Sequence, residues 1–181
     1  MKKLIIIFII FIFVAVSILL LMSSERTLPT EIKNFADCVN AGNPVMESYP
    51  RQCRNGETLY VEDIGNELEK ASVIQIGNPR PNQVIKTPLI IEGFARGTWF
   101  FEGDFPVILT DWDGKIIAEG YATAQTSWMK EDFVEFKGSL DFEKPENIGD
   151  FSKRGSLILK KDNPSGLSEN DDALEIPILF E

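Results

Sequence analysis

The 181-residue sequence predicts an all-β domain, an antiparallel sandwich of about seven strands, behind one apolar helix and a small two-cysteine module. Three observations predict it. From residue 72 onward, short runs rich in β-branched and aromatic residues alternate with turn formers at the spacing of an all-β domain. An apolar run broken only by Ser17 occupies residues 4–22, directly after Lys2 and Lys3. Between the two lies a stretch crowded with Gly, Asn and Pro that holds the chain's two cysteines, Cys38 and Cys53.

The N-terminal segment, 1–22, is expected to be a transmembrane anchor. Its run of about 19 apolar residues rises roughly 28 Å as a helix, against a hydrocarbon core of about 30 Å. The apolar part of a secretion signal is shorter, about 7–15 residues, and no Ala-x-Ala type site follows. Lys2 and Lys3 hold the N-terminus in the cytoplasm by the positive-inside bias. The expected location is therefore a bacterial cell membrane, crossed once, with everything from Ser23 outside. The competing reading is a cleaved secretion signal, which leaves a secreted protein. Residues 23–33 are polar with one proline and form a spacer.

Residues 34–63 form the two-cysteine module. Turn formers dominate it (Gly42, Asn43-Pro44, Ser48, Pro50, Asn55-Gly56), so it has little apolar surface with which to order itself. A Cys38–Cys53 disulfide closing that loop stabilises it by roughly 3 kcal/mol on the chain-entropy model, and disulfides persist outside the cell. A zinc site is poorly served by two cysteines without histidine, and the spacing is not the redox Cys-x-x-Cys. A short strand is expected over 58–61 after the Asn55-Gly56 turn. Residues 64–71 are charged and read as a linker.

Residues 72–181 form the sandwich. Strands are expected near 72–76, 89–95, 106–111, 115–121, 133–142, 156–160 and 174–180, with no helix longer than two turns. Seven strands in about 110 residues suit an immunoglobulin-like arrangement. The clearest hairpin surrounds Asp113-Gly114. A two-residue turn pairs Leu109 with Ala118 and Asp111 with Ile116, whereas a three-residue loop with Gly114 in a bulge pairs Asp111 with Lys115. Both registers stay open. In either, Trp112 sits at the turn and away from the deep core.

Several blocks in order carry a resemblance. They are residues 88–102 (Pro-Leu-Ile-Ile-Glu-Gly-Phe-Ala-Arg-Gly-Thr-Trp-Phe-Phe-Glu), 105–107 (Phe-Pro-Val), 128–134 (Trp-Met-Lys-Glu-Asp-Phe-Val), 161–167 (Lys-Asp-Asn-Pro-Ser-Gly-Leu) and 176–178 (Ile-Pro-Ile). Together they resemble the immunoglobulin-like domain of bacterial spore germination proteins, the second GerM-associated domain, over about residues 72–180. The resemblance implies an extracytoplasmic immunoglobulin-like fold in a cell-envelope protein, often behind a membrane or lipid anchor, and implies no catalytic residues. The run from Cys38 to Cys53 is similar to a small cysteine module that precedes various domains in bacterial proteins, and implies no activity.

Composition narrows the function. Lys and Arg total 18, Asp and Glu 28, and His is absent, for a net charge of -10. Without imidazole there is no Ser-His-Asp or Cys-His catalytic set. The acid excess argues against nucleic acid, whose phosphates need clustered cations. No phosphate-cradling loop and no Gly-x-Ser-x-Gly occurs. The expected protein is therefore not an enzyme, takes no cofactor, and binds another cell-envelope protein through a sheet face or edge. A role in sporulation or germination is the narrower version of that expectation. The alternative is wall carbohydrate (peptidoglycan) recognition, with Trp112, Trp128 and Trp99 as the candidate ligand-binding aromatics. Three consecutive aromatics on a strand cannot all point one way, so at least one of Trp99, Phe100 and Phe101 belongs to the core. The loop 162–172 offers calcium the oxygens of Asp162, Asp171 and Asp172. It lacks the EF-hand pattern, and a solvated loop without metal is expected.

Overall fold

The computed structural model of the protein describes residues 31–181, so the expected anchor and most of the spacer lie outside the described residues. Among the described residues no helix is long and apolar enough to cross a membrane.

The two-cysteine module opens with helix α1 (Phe35–Asn40). Asn34 caps it: its side-chain oxygen accepts from the Asp37 N–H at 2.9 Å, satisfying a donor that the first helical turn leaves free. Three strands follow, β1 (Val45–Met46), β2 (Gln52–Asn55) and β3 (Thr58–Val61), as an antiparallel sheet in the order β1-β2-β3. The disulfide Cys38–Cys53 ties α1 to the central strand, and both half-cystines are fully buried. They are the buried apolar residues of this module, so the cross-link stands where a core would be.

The sequence predicts a loose linker over 64–71. The structure instead folds it into the short helix α2 (Glu67–Lys70), seated against the strands β4 (Ile74–Asn78) and β11 (Ala173–Phe180). Charge in a segment does not exclude burial when each charge finds a partner.

Between them run β5 (Val84–Ile85), β6 (Leu89–Arg96), β7 (Asp104–Asp111), β8 (Ile116–Ala124), β9 (Phe133–Leu140) and β10 (Arg154–Lys160). Hydrogen bonding links the eight strands in the order β4-β6-β9-β8-β7-β10-β11-β5. The β8–β9 link is only three pairs long, Ala122 to Ala124 against Gly138 to Phe136. There the ladder folds over, and the inner faces of β4-β6-β9 and of β8-β7-β10-β11-β5 share one core. Burial alternates with period two along β6, β10 and β11, as one face inward requires. Phe105 is fully buried at the centre, between Phe100 (5.2 Å) and the edge of Phe136 (5.0 Å).

All seven expected strands form. The eighth, β5, is two residues long and pairs in parallel with Leu179 and Phe180 at the outer edge of β11. The rest of that edge is also covered. Asn66 donates its backbone N–H to the Glu175 carbonyl, and its side chain bonds the Glu175 N–H and the Ala173 carbonyl. Asn82 donates its N–H to the Pro177 carbonyl. Strand addition along β11, one form of the expected edge-mediated binding, is thus pre-empted by the chain itself.

Candidate functional site

The β7–β8 hairpin builds one end of the sandwich. At its tip the Asp111 N–H donates to the Lys115 carbonyl, and the Gly114 N–H to the Asp111 carbonyl. The loop is therefore Trp112-Asp113-Gly114, with Gly114 at φ +77°, a conformation that favours glycine. Asp111 Oδ1 braces it by accepting from the Asp113 and Lys115 N–H groups. Thr110 pairs with Ile116, yet Leu109 pairs with Ala118. One residue, Ile117, is extra on β8. Each register left open by the sequence occurs: the three-residue loop at the tip, and the two-residue register in the body, joined by a bulge.

The loop places Trp112 in solvent, 45% exposed, and its ring meets Phe151 edge-on at 4.8 Å. Phe151 belongs to a 3-10 turn (Asp150–Lys153) before β10. Buried Ser152 holds this turn: its hydroxyl donates to the Gly149 carbonyl and accepts from the Ile148 N–H. Tip and loop enclose an open groove of about 810 Å³, lined by Trp112, Ile116, Ile117, Phe142 and Ile148 among others. Ile116, Ile148 and Phe151 are 49%, 62% and 50% exposed. Single exposed apolar side chains are ordinary, but Trp112, Ile116 and Ile148 around one groove, with Phe151 against Trp112, make a patch of the kind that marks binding surfaces. Asp111, Asp141, Glu143 and Glu146 line the same groove with Lys115 and Lys144. Beside it, Lys153 holds the Asp150 carboxyl below the usual range across 2.9 Å.

Trp99, Trp128 and the acidic loop gather at the opposite end. Eight residues of β7, about 23 Å of strand, separate them from Trp112. Trp112 and Trp128 therefore do not form one platform. Trp99 is 2% exposed and belongs to the core, which corrects its candidacy as a ligand-stacking ring: a buried ring offers no free face. Among the described residues its indole N–H has no hydrogen-bond partner. Trp128 is half-buried and lies beside Gly103, in a shallow recess of about 340 Å³ with Thr98 and Met129. In the acidic loop, the Asp162 N–H donates to the Trp99 carbonyl. Asp171 accepts from the Asn163 amide, and Asp172 pairs with Lys70 at 2.5 Å. Among the described residues no three acidic side chains converge on a cation-sized site.

The sequence gives no sign of two buried glutamates, Glu62 and Glu67, which join the module to the sandwich. Arg51 reaches Glu62 through two nitrogens, at 2.5 and 2.8 Å, and Asn82 adds a third contact. Hydrogen bonding from Arg51 outweighs burial and holds the Glu62 carboxyl below its ordinary range. Glu67 accepts from the Tyr49 hydroxyl and pairs with Arg80 at 2.6 Å, yet burial prevails there and raises its carboxyl. The Arg51–Glu62 pair lies within the module, and the contacts that cross to the sandwich are the Asn82 amide on Glu62 and Arg80 on Glu67, which also holds Tyr49 of the module.

No curated protein and no solved structure matches the chain. A family model does match, from β4 to the start of β10. Over residues 73–155 the chain matches the family described as the immunoglobulin-like domain of bacterial spore germination, the family whose motifs the sequence resembles.

Proposed function

We propose that the chain is a non-catalytic binding protein of the bacterial envelope, held outside the membrane by its N-terminal apolar run, whose immunoglobulin-like domain docks a partner protein. The observation that carries this is the apolar tip: exposed Trp112, Ile116 and Ile148 line one groove, and exposed Phe151 braces Trp112 beside it. Large apolar side chains left together in solvent contribute little to the core, which favours a role in contact. The disulfide supports an oxidising compartment, as do Lys2, Lys3 and the apolar run.

A photo-crosslinking side chain at position 112 of the full-length protein in living cells tests the reading. A discrete protein adduct at 112, absent when the probe sits at exposed position 119, is expected. No adduct, with Trp112-dependent retention on purified peptidoglycan instead, overturns it in favour of carbohydrate recognition. The compartment is tested separately: protease added outside protoplasts should digest the sandwich, and protection overturns the placement.

A further inference from the structure

The groove's charges say what kind of segment it takes, if the tip is the docking surface proposed above. Four carboxylates and two ammonium groups line it. Asp111 is engaged by its own turn through two backbone N–H groups. Lys144 is near enough to Glu181 to favour that residue's ionised form, so part of its charge is already answered outside the groove. Asp141, Glu143 and Glu146 are exposed and form no ion pair among the described residues. Lys115 is likewise unpaired among the described residues, so three free carboxylates face one free ammonium and the unanswered charge beside the apolar patch is negative. A second copy of this chain, at net charge -10, meets repulsion there, and so does an anionic lipid surface or wall polymer.

We infer that the occupant is a cationic protein segment that seats one aromatic or aliphatic side chain between Trp112, Ile116 and Ile148 and sets Lys or Arg beside Asp141, Glu143 and Glu146. The apolar anchor supplies holding strength from the area it removes from water. The carboxylates speed encounter and reject acidic competitors, and both effects weaken with salt.

The test is selection of random twelve-residue displayed peptides on the immobilised full-length chain. Enriched peptides should carry a net positive charge around an aromatic or aliphatic residue. Their affinity should fall about tenfold in the Asp141→Asn, Glu143→Gln, Glu146→Gln triple variant and further in Trp112→Ala. The three carboxylate positions are exposed, so that variant should melt as the parent does, and Trp112→Ala, which loses the Phe151 contact, should keep the parent's fold with a slightly lower melting temperature, which the same preparations show by circular dichroism. Enrichment of neutral or acidic peptides that still require Trp112 overturns the charge selectivity and leaves the docking tip standing. Cationic peptides that bind Trp112→Ala as well as the parent overturn both. No enrichment, or Trp112-dependent self-association, phosphatidylglycerol-vesicle binding or peptidoglycan binding in its place, overturns the inference in favour of that occupant.

Discussion

The two ends of the sandwich use the same side chain in opposite ways. At one end Trp99 is sealed into the core, and the backbone closes tightly over Gly97, where a Cβ would overlap the Trp128 and Lys130 carbonyl oxygens. At the other, Trp112 leans on Phe151 and both remain half in water. The difference teaches that aromatic content does not decide which ring faces solvent; the backbone that carries the ring does. A 3-10 turn (Gly97–Trp99) folds Trp99 inward, while a three-residue hairpin loop holds Trp112 out.

Substitutions at the two ends should separate cleanly. The largest effect belongs to Trp99→Ala, which empties a fully packed site and should cost about 3–5 kcal/mol in denaturant unfolding. A cost below about 1 kcal/mol would erase the distinction between sealed and open ends. Gly97→Ala comes next, at about 1–3 kcal/mol, because the obstacle is backbone and cannot swing aside. A change at neither end supplies the control. Glu62→Gln weakens the pairing with Arg51 inside the two-cysteine module by about 1 kcal/mol, at the low end because Arg51 is largely in solvent. The folded Glu62 carboxyl is held below its ordinary range, so the parent's advantage over this variant is full at neutral pH. It fades as pH falls below the ordinary glutamate value through the lowered one. An advantage unchanged between about pH 7 and pH 3 would contradict the pairing. Smallest in stability is Phe151→Ala, about 0.5–1.5 kcal/mol for the lost edge-on contact. Its larger consequence should be loss of the position-112 adduct, and an undiminished adduct would detach Phe151 from the docking surface.

Much of the sandwich was legible because alternation is a strong local signal. The runs that became β6, β7, β9, β10 and β11 largely alternate inward and outward residues, with Leu, Ile, Val or Phe at most inward positions. The second short strand, β5, was not legible: two residues between prolines and Lys86 show no period, and what makes them a strand is the free edge of β11. Nor was the seating of residues 64–71. It rests on Asn66 and Glu67, whose polar side chains read as solvated until distant carbonyls and Arg80 are placed beside them. Of the candidate site, Trp112 could be found from its turn, but Phe151 and Ile148 could not. They lie in a Pro, Asn and Gly-containing loop whose fold over the hairpin depends on Ser152 and Gly149, about 40 residues away in sequence.

The bulge at Ile117 uncouples the hairpin's tip from its body. In a regular ladder, adding or removing one loop residue reverses which way every later side chain of β8 faces, turning Ala122 out of the core. Here a single slack residue stands between the two, so the loop that carries Trp112 can shorten by one while the inner layer keeps its orientation.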